Sequence, residues 1–125
     1  SKFDELCHIV VTELKEKYPQ IQRIAYLCKH ESGCLVGAGM KMKQQIKKLT
    51  GKDVYVPEYE DIKKSDRVDS AGRAAYVERN QLMIDESVFS IIFIKAKYLL
   101  AHSVSGTAVV YRYALKKKAK ISIFN

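Results

Sequence analysis

Helical and strand-like periodicity alternate along the whole chain, and this alternation constrains the fold more than any other feature of the sequence. Between Asp4 and Tyr18, the apolar residues Cys7, Val10, Val11, Leu14 and Tyr18 recur at helical spacing. Asp4 and Glu5 near the start of this segment and Lys15 and Lys17 near its end suit the helix macrodipole, and Pro19 stops it. Ile21 to Leu27 reads as a short strand and Cys28 to Gly33 as a polar connection. A second helix is expected from Leu35 to Leu49, with Leu35, Met42, Ile46 and Leu49 on one face and Gly51 as its stop. Asp53 to Val56 reads as a brief strand ended by Pro57, and the charged, aperiodic Glu58 to Ser70 as a surface loop. A third helix follows from Gly72 to Glu86. Val88 to Ile94 is the most apolar strand and is expected to be central. After a loop from Lys95 to Ser105 come a fourth helix, Gly106 to Lys118, and a last strand, Lys120 to Phe124. Strands separated by helices pair in parallel through right-handed crossovers. The expectation is a three-layer, Rossmann-like α/β domain over residues 1–125 with a mostly parallel sheet of about four strands. The order begins on a helix, so the strand that would feed that helix is missing from it.

Composition bounds what such a chain does. Over 125 residues the formal charge is +8, with 47% hydrophobic and 29% charged residues, which argues against disorder and collagen-like structure. No apolar run approaches the roughly 20 residues of a membrane span, and no secretory signal opens the sequence. Cys7, Cys28 and Cys34 form neither a CxxC nor an even set, so reduced thiols and a cytoplasmic setting are expected, with no metal and no cofactor. The positive charge suits nucleic acid or an ordinary basic surface. Lys41, Lys43, Lys47 and Lys48 read as a solvated helix face, and Lys116, Lys117 and Lys118 have a structural reason at a helix C-terminus.

Two places could carry chemistry. Ser105, Gly106 and Thr107 open the fourth helix after the most apolar strand. That start is either a simple N-cap or an anion site at the carboxyl edge of the sheet. Arg79 lies among Ala75, Tyr76, Leu82, Met83 and Glu86 on the third helix, inside the apolar stripe. A buried guanidinium there needs an anion: a carboxylate such as Asp85 or Asp69, or a bound phosphate. Asn80 beside it either bonds a ligand or caps a loop. Gly37-Ala38-Gly39 is half of a dinucleotide fingerprint with no strand before it, so it reads as a helix entry. His8, His30 and His102 have no ligand spacing, and Cys7 reads as core. Tyr55, Tyr59 and Tyr76 surround the loop before the third helix, where packing and base stacking are both open.

The stretch Tyr76-Val77-Glu78-Arg79-Asn80-Gln81-Leu82-Met83-Ile84-Asp85, with Val88 to Ile94, Ser105-Gly106-Thr107, Tyr113-Ala114 and Lys116 to Ile121, resembles the SLOG superfamily. That Rossmann-like group includes the LOG cytokinin-activating phosphoribohydrolases and the DNA-processing protein A. The similarity is nearest to its YspA/YoqJ-like bacterial and phage branch. Phe3-Asp4-Glu5-Leu6-Cys7 and Glu13 to Pro19 look like the residues that follow that branch's Gly-rich turn, whose strand and turn would then lie upstream of Ser1. The resemblance implies that Arg79 matches the Arg of the LOG Arg-Lys pair, with Asn80 in place of the Lys and Met83 matching a downstream Met. Gly106 and Thr107 match the Gly-Thr of the phosphate-binding turn. The earlier glycines are replaced in the stretch of His102 and Ser103, and Val110 stands where the catalytic Glu belongs. An aliphatic side chain cannot serve as acid, base or charge stabiliser in glycosidic cleavage.

The resemblance therefore implies a non-catalytic domain or sensor for a small nucleotide-type ligand. Arg79, Ser105, Gly106 and Thr107 would sit at the phosphate, with Asn80, Met83 and Tyr76 as further contacts. The alternatives are a basic nucleic-acid-binding domain, an enzyme working through Asp85 or Glu78, and an assembly domain acting as a homo-oligomer.

Overall fold

In a computed structural model of the protein, residues 2–31, 38–99 and 105–124 are described. The chain forms two compact units, one of residues 1–27 and 31–63 and the other of residues 28–30 and 64–125. It is an α/β protein whose described residues form four α-helices and four short strands, the strands pairing as two two-stranded sheets. Of the features anticipated in the sequence, Leu35, Gly37, Cys34 and His102 lie outside the described residues.

The first unit holds helix α1 (Lys2–Lys17), strand β1 (Ile24–Leu27), helix α2 (Ala38–Thr50) and strand β2 (Asp61–Lys64), which runs to the unit boundary. The ends of both helices fall where the sequence signals them. α1 has Asp4 and Glu5 in its first turn, Lys15 and Lys17 in its last, and stops just before Pro19. The Lys15 ammonium folds onto the chain beyond, donating to the carbonyls of Pro19 at 3.1 Å and Ile21 at 2.5 Å. After α2, Gly51 adopts φ 70° and donates its N–H to the Lys47 carbonyl at 2.8 Å, a left-handed cap that glycine takes at little cost.

Two expectations fail in this unit. Asp53 to Val56 is not a strand. The partner of β1 is β2, inside the segment expected to be a loop. The cause is Glu60. Its carboxylate accepts the Arg23 backbone N–H at 2.9 Å, and its own N–H donates to the Arg23 carbonyl at 2.9 Å, which fixes the register beside β1. The charged sequence Asp61-Ile62-Lys63-Lys64 hid this strand, because charge is what a short edge strand carries. The second failure is the inner face of α1. Val10, Leu14 and Tyr18 are exposed, and no residue of α1 is fully buried. Instead His8, Thr12 and Lys15, at helical spacing, hydrogen-bond other parts of the unit.

The second unit holds helix α3 (Arg73–Asp85), strand β3 (Phe89–Phe93), a 3₁₀ turn (Ala96–Leu99), helix α4 (Gly106–Lys116) and strand β4 (Lys120–Phe124). β3 and β4 are parallel, with Phe89 opposite Lys120 and Phe93 opposite Phe124, and α4 is the crossover that a parallel pair requires. Ile84, Ile92, Ile94, Ala108 and Ala114 form the core, with Tyr98, Val110, Tyr111 and Ile121 packed against it. Ala108 and Ala114 are the inner positions of α4, and their small size lets the helix lie close on the strands. Ser90 and Ile92 of β3 are buried while Phe89, Ile91 and Phe93 are exposed, so β3 buries one face and not the two expected of a central strand.

α4 ends in a Schellman arrangement. Ala119 N–H bonds the Ala114 carbonyl at 3.1 Å and Lys118 N–H the Leu115 carbonyl at 3.0 Å, with Lys118 at φ 56°. Here a lysine holds the left-handed position that glycine usually takes.

Candidate functional site

The anticipated site residues gather into two groups in the second unit, one on α3 and one at the start of α4. On α3, the Arg79 guanidinium lies over the Tyr76 ring, 5.2 Å from its centroid, one helical turn away. Its Nε and Nη2 donate to the Asn80 amide oxygen at 3.3 and 3.1 Å. Among the described residues, no carboxylate lies within 4.0 Å of Arg79. Both acids expected to pair with it are engaged elsewhere. Asp69 pairs with Lys29, and Asp85 accepts the Tyr113 hydroxyl at 2.7 Å with the Lys117 ammonium at 3.8 Å. Nor is Arg79 inside a buried stripe. Ala75 and Ile84 are the buried positions of α3, and Arg79 is half-exposed beside them. A half-exposed guanidinium needs no internal anion, because water reaches it.

His30 joins this group, its ring 6.2 Å from that of Tyr76 and nearly perpendicular to it at 85°. No sequence signal marks this contact, because forty-odd positions separate the two residues and only the tertiary fold brings the connection after β1 onto α3. Met83 lies further along α3, and its carbonyl accepts the Ser87 hydroxyl at 2.6 Å. Glu78, on the same helix, accepts the Arg67 backbone N–H at 3.0 Å. That contact, with bonds from Val68 and Ser65, holds its carboxyl below the ordinary range and fastens the 65–68 segment to α3. Glu78 and Asp85 therefore both have structural partners.

At the start of α4, Ser105 is the N-cap, its hydroxyl accepting the Ala108 N–H at 3.1 Å. Gly106 stands in open space, since a Cβ added there meets nothing within 4 Å, and Thr107 is exposed. No hydrogen bond or ion pair joins this start to Arg79 among the described residues. Val110, half-buried, packs against the core of the second unit. The Asp85–Tyr113 bond ties the last turns of α3 and α4 together, and it holds the Tyr113 hydroxyl above its usual range.

The first unit carries a second polar cluster that the sequence did not reveal. His8 donates from Nε2 to the Glu58 carbonyl at 2.8 Å, which leaves Nδ1 to accept from the Tyr55 hydroxyl. Tyr59 meets the same imidazole edge-on, with centroids 5.0 Å apart, and burial pushes its hydroxyl up. Arg23 and Glu60 form a bidentate pair with a shortest contact of 2.7 Å, and Arg23 Nη1 reaches the Thr12 hydroxyl at 3.2 Å. The outward signal was the His8, Thr12, Lys15 spacing on a helix read for its apolar face. Burial, and then Asp4, push the Cys7 thiol up, which makes it a poorer nucleophile.

Among the described residues, no group of three or more His, Cys, Asp or Glu is placed to hold a metal ion, and no helix is long and apolar enough to cross a membrane. Comparison with protein-family models, with curated proteins and with solved structures gave no match.

Proposed function

We propose that the second unit binds a nucleotide or nucleotide derivative as part of a SLOG-type, Rossmann-like domain with three layers, acting in the cytoplasm as a sensor or non-catalytic relative of the phosphoribohydrolases. The observation that carries this reading is Arg79. Its guanidinium rests on Tyr76, is oriented by the neutral Asn80 amide, and meets no carboxylate among the described residues. An oriented guanidinium is the side chain best suited to bidentate phosphate binding, and Tyr76 offers a ring to the rest of such a ligand. The α4 start adds the Gly106 and Thr107 backbone N–H groups beyond the one Ser105 caps. Counting back equal numbers of residues from the Asp85–Tyr113 bond reaches Arg79 on α3 and Thr107 on α4, about 9 Å along each helix. Two helices tied at their last turns would so bring both groups to one level. Val110 supplies no acid or base where the enzymes have Glu, so binding without cleavage is the reading. Calorimetric titration with AMP, ADP-ribose and cyclic nucleotides tests it. Wild type binds and Arg79→Ala loses most of the affinity; equal binding or none in both overturns the proposal.

The formal charge of +8, with Lys41, Lys48 and Lys52 exposed, supports nucleic acid as the second reading. It requires affinity for single-stranded DNA that falls steeply as salt rises, and undetectable binding at low salt ends it.

A further inference from the structure

We propose that His30 is a second, titratable contact of the Arg79 site, so that the site takes a ligand with more than one negative charge, such as a diphosphate, and holds it more tightly as pH falls. This rests on the nucleotide-binding reading and adds a residue and a regulation to it. Tyr76 is the shared neighbour: the Arg79 guanidinium lies 5.2 Å from its ring centroid and the His30 ring 6.2 Å from it. The two groups are therefore no more than about 11 Å apart, close enough for a diphosphate lying beside Tyr76 to meet both. His30 is exposed, so its protonation needs no rearrangement of the core. Lys29 is paired with Asp69, and Asp66 and Glu78 act on that same lysine. Glu31 follows His30 in the chain, and α3 carries the cations Arg73 and Arg79, the latter over the Tyr76 ring. A protonated imidazole turns the single fixed cation of the site into a pair.

The probe is ADP-ribose, whose diphosphate diester keeps the same charge over the range used. Its affinity is measured by calorimetry at pH 7.5 and 5.5 for wild type and His30→Gln. One added charge at this range, near a solvated surface, tightens wild-type binding about threefold at pH 5.5. His30→Gln shows no such gain between the two pH values. A flat wild-type profile, or the same gain in His30→Gln, overturns the role of His30 and leaves nucleotide binding standing. No binding by wild type at either pH overturns both.

Discussion

Replacing Glu60 by Gln tests how the first unit is held together, and the structure fixes both the size and the pH window of the effect. The Glu60 carboxylate accepts from Arg23 Nε at 3.0 Å and Nη2 at 2.7 Å and from the Arg23 backbone N–H at 2.9 Å, with the Lys15 ammonium at 3.5 Å. The Arg23 side chain, above all, holds the Glu60 carboxyl at about 2, against an ordinary 4.5. At about 1.4 kcal/mol per unit, that difference sets a ceiling of roughly 3 kcal/mol. A quarter of the Glu60 side chain faces water (26% exposed), and screening reduces the effect to about 1–2 kcal/mol. Because the folded-state value is depressed, this stability is fully present above pH 4.5 and is lost as pH falls from 4.5 towards 2. Urea unfolding followed by circular dichroism at pH 7, 5.5, 4 and 3 gives the stability gap between wild type and Glu60→Gln. Every other carboxylate titrates in both proteins, so the gap isolates Glu60. It is expected to be about 1–2 kcal/mol at pH 7 and 5.5 and to shrink to less than half by pH 3. A gap of constant size from pH 7 to pH 3 would show that the Arg23–Glu60 pair does not set this carboxyl's ionisation, and the reasoning would fall.

The helix ends give two further expectations for the same unfolding assay. Lys118→Gly relieves a left-handed lysine and raises stability by about 0.5–1 kcal/mol, whereas Gly51→Ala forces a side chain into the same region and lowers it by about 1 kcal/mol. Ser105→Ala removes the cap on Ala108 N–H and costs about 1 kcal/mol, while Gly106→Ala, with open space around it, leaves stability unchanged or slightly higher.

Helix ends were legible in the sequence because their signals are local. Pro19, Gly51 and Ser105 act on the backbone within a turn of themselves, and each stands where the structure ends or begins a helix. The last two strands were legible for the same reason, since the apolar run at Phe89–Phe93 and the short Lys120–Phe124 segment flank a helix of crossover length. Arg79, Tyr76 and Asn80 were legible as near neighbours from their spacing along the third helix.

Pairing and charge balance were decided only in three dimensions. Which segment joins β1 depended on Glu60 finding Arg23, a choice that hydropathy cannot express and that favoured a charged strand over the apolar Asp53–Val56. Which face of α1 turns inward depended on Tyr55 and Glu58 meeting His8, Arg23 meeting Thr12, and the Ile21 carbonyl meeting Lys15. Whether Arg79 spends its charge on a carboxylate depended on Asp69 and Asp85 being taken by Lys29, Tyr113 and Lys117, and His30 reached Tyr76 from a distant part of the chain. Local sequence sets backbone propensity because its energies act within a few residues. Strand partners and the neutralisation of charge are long-range competitions, and the tertiary structure determines which partner wins.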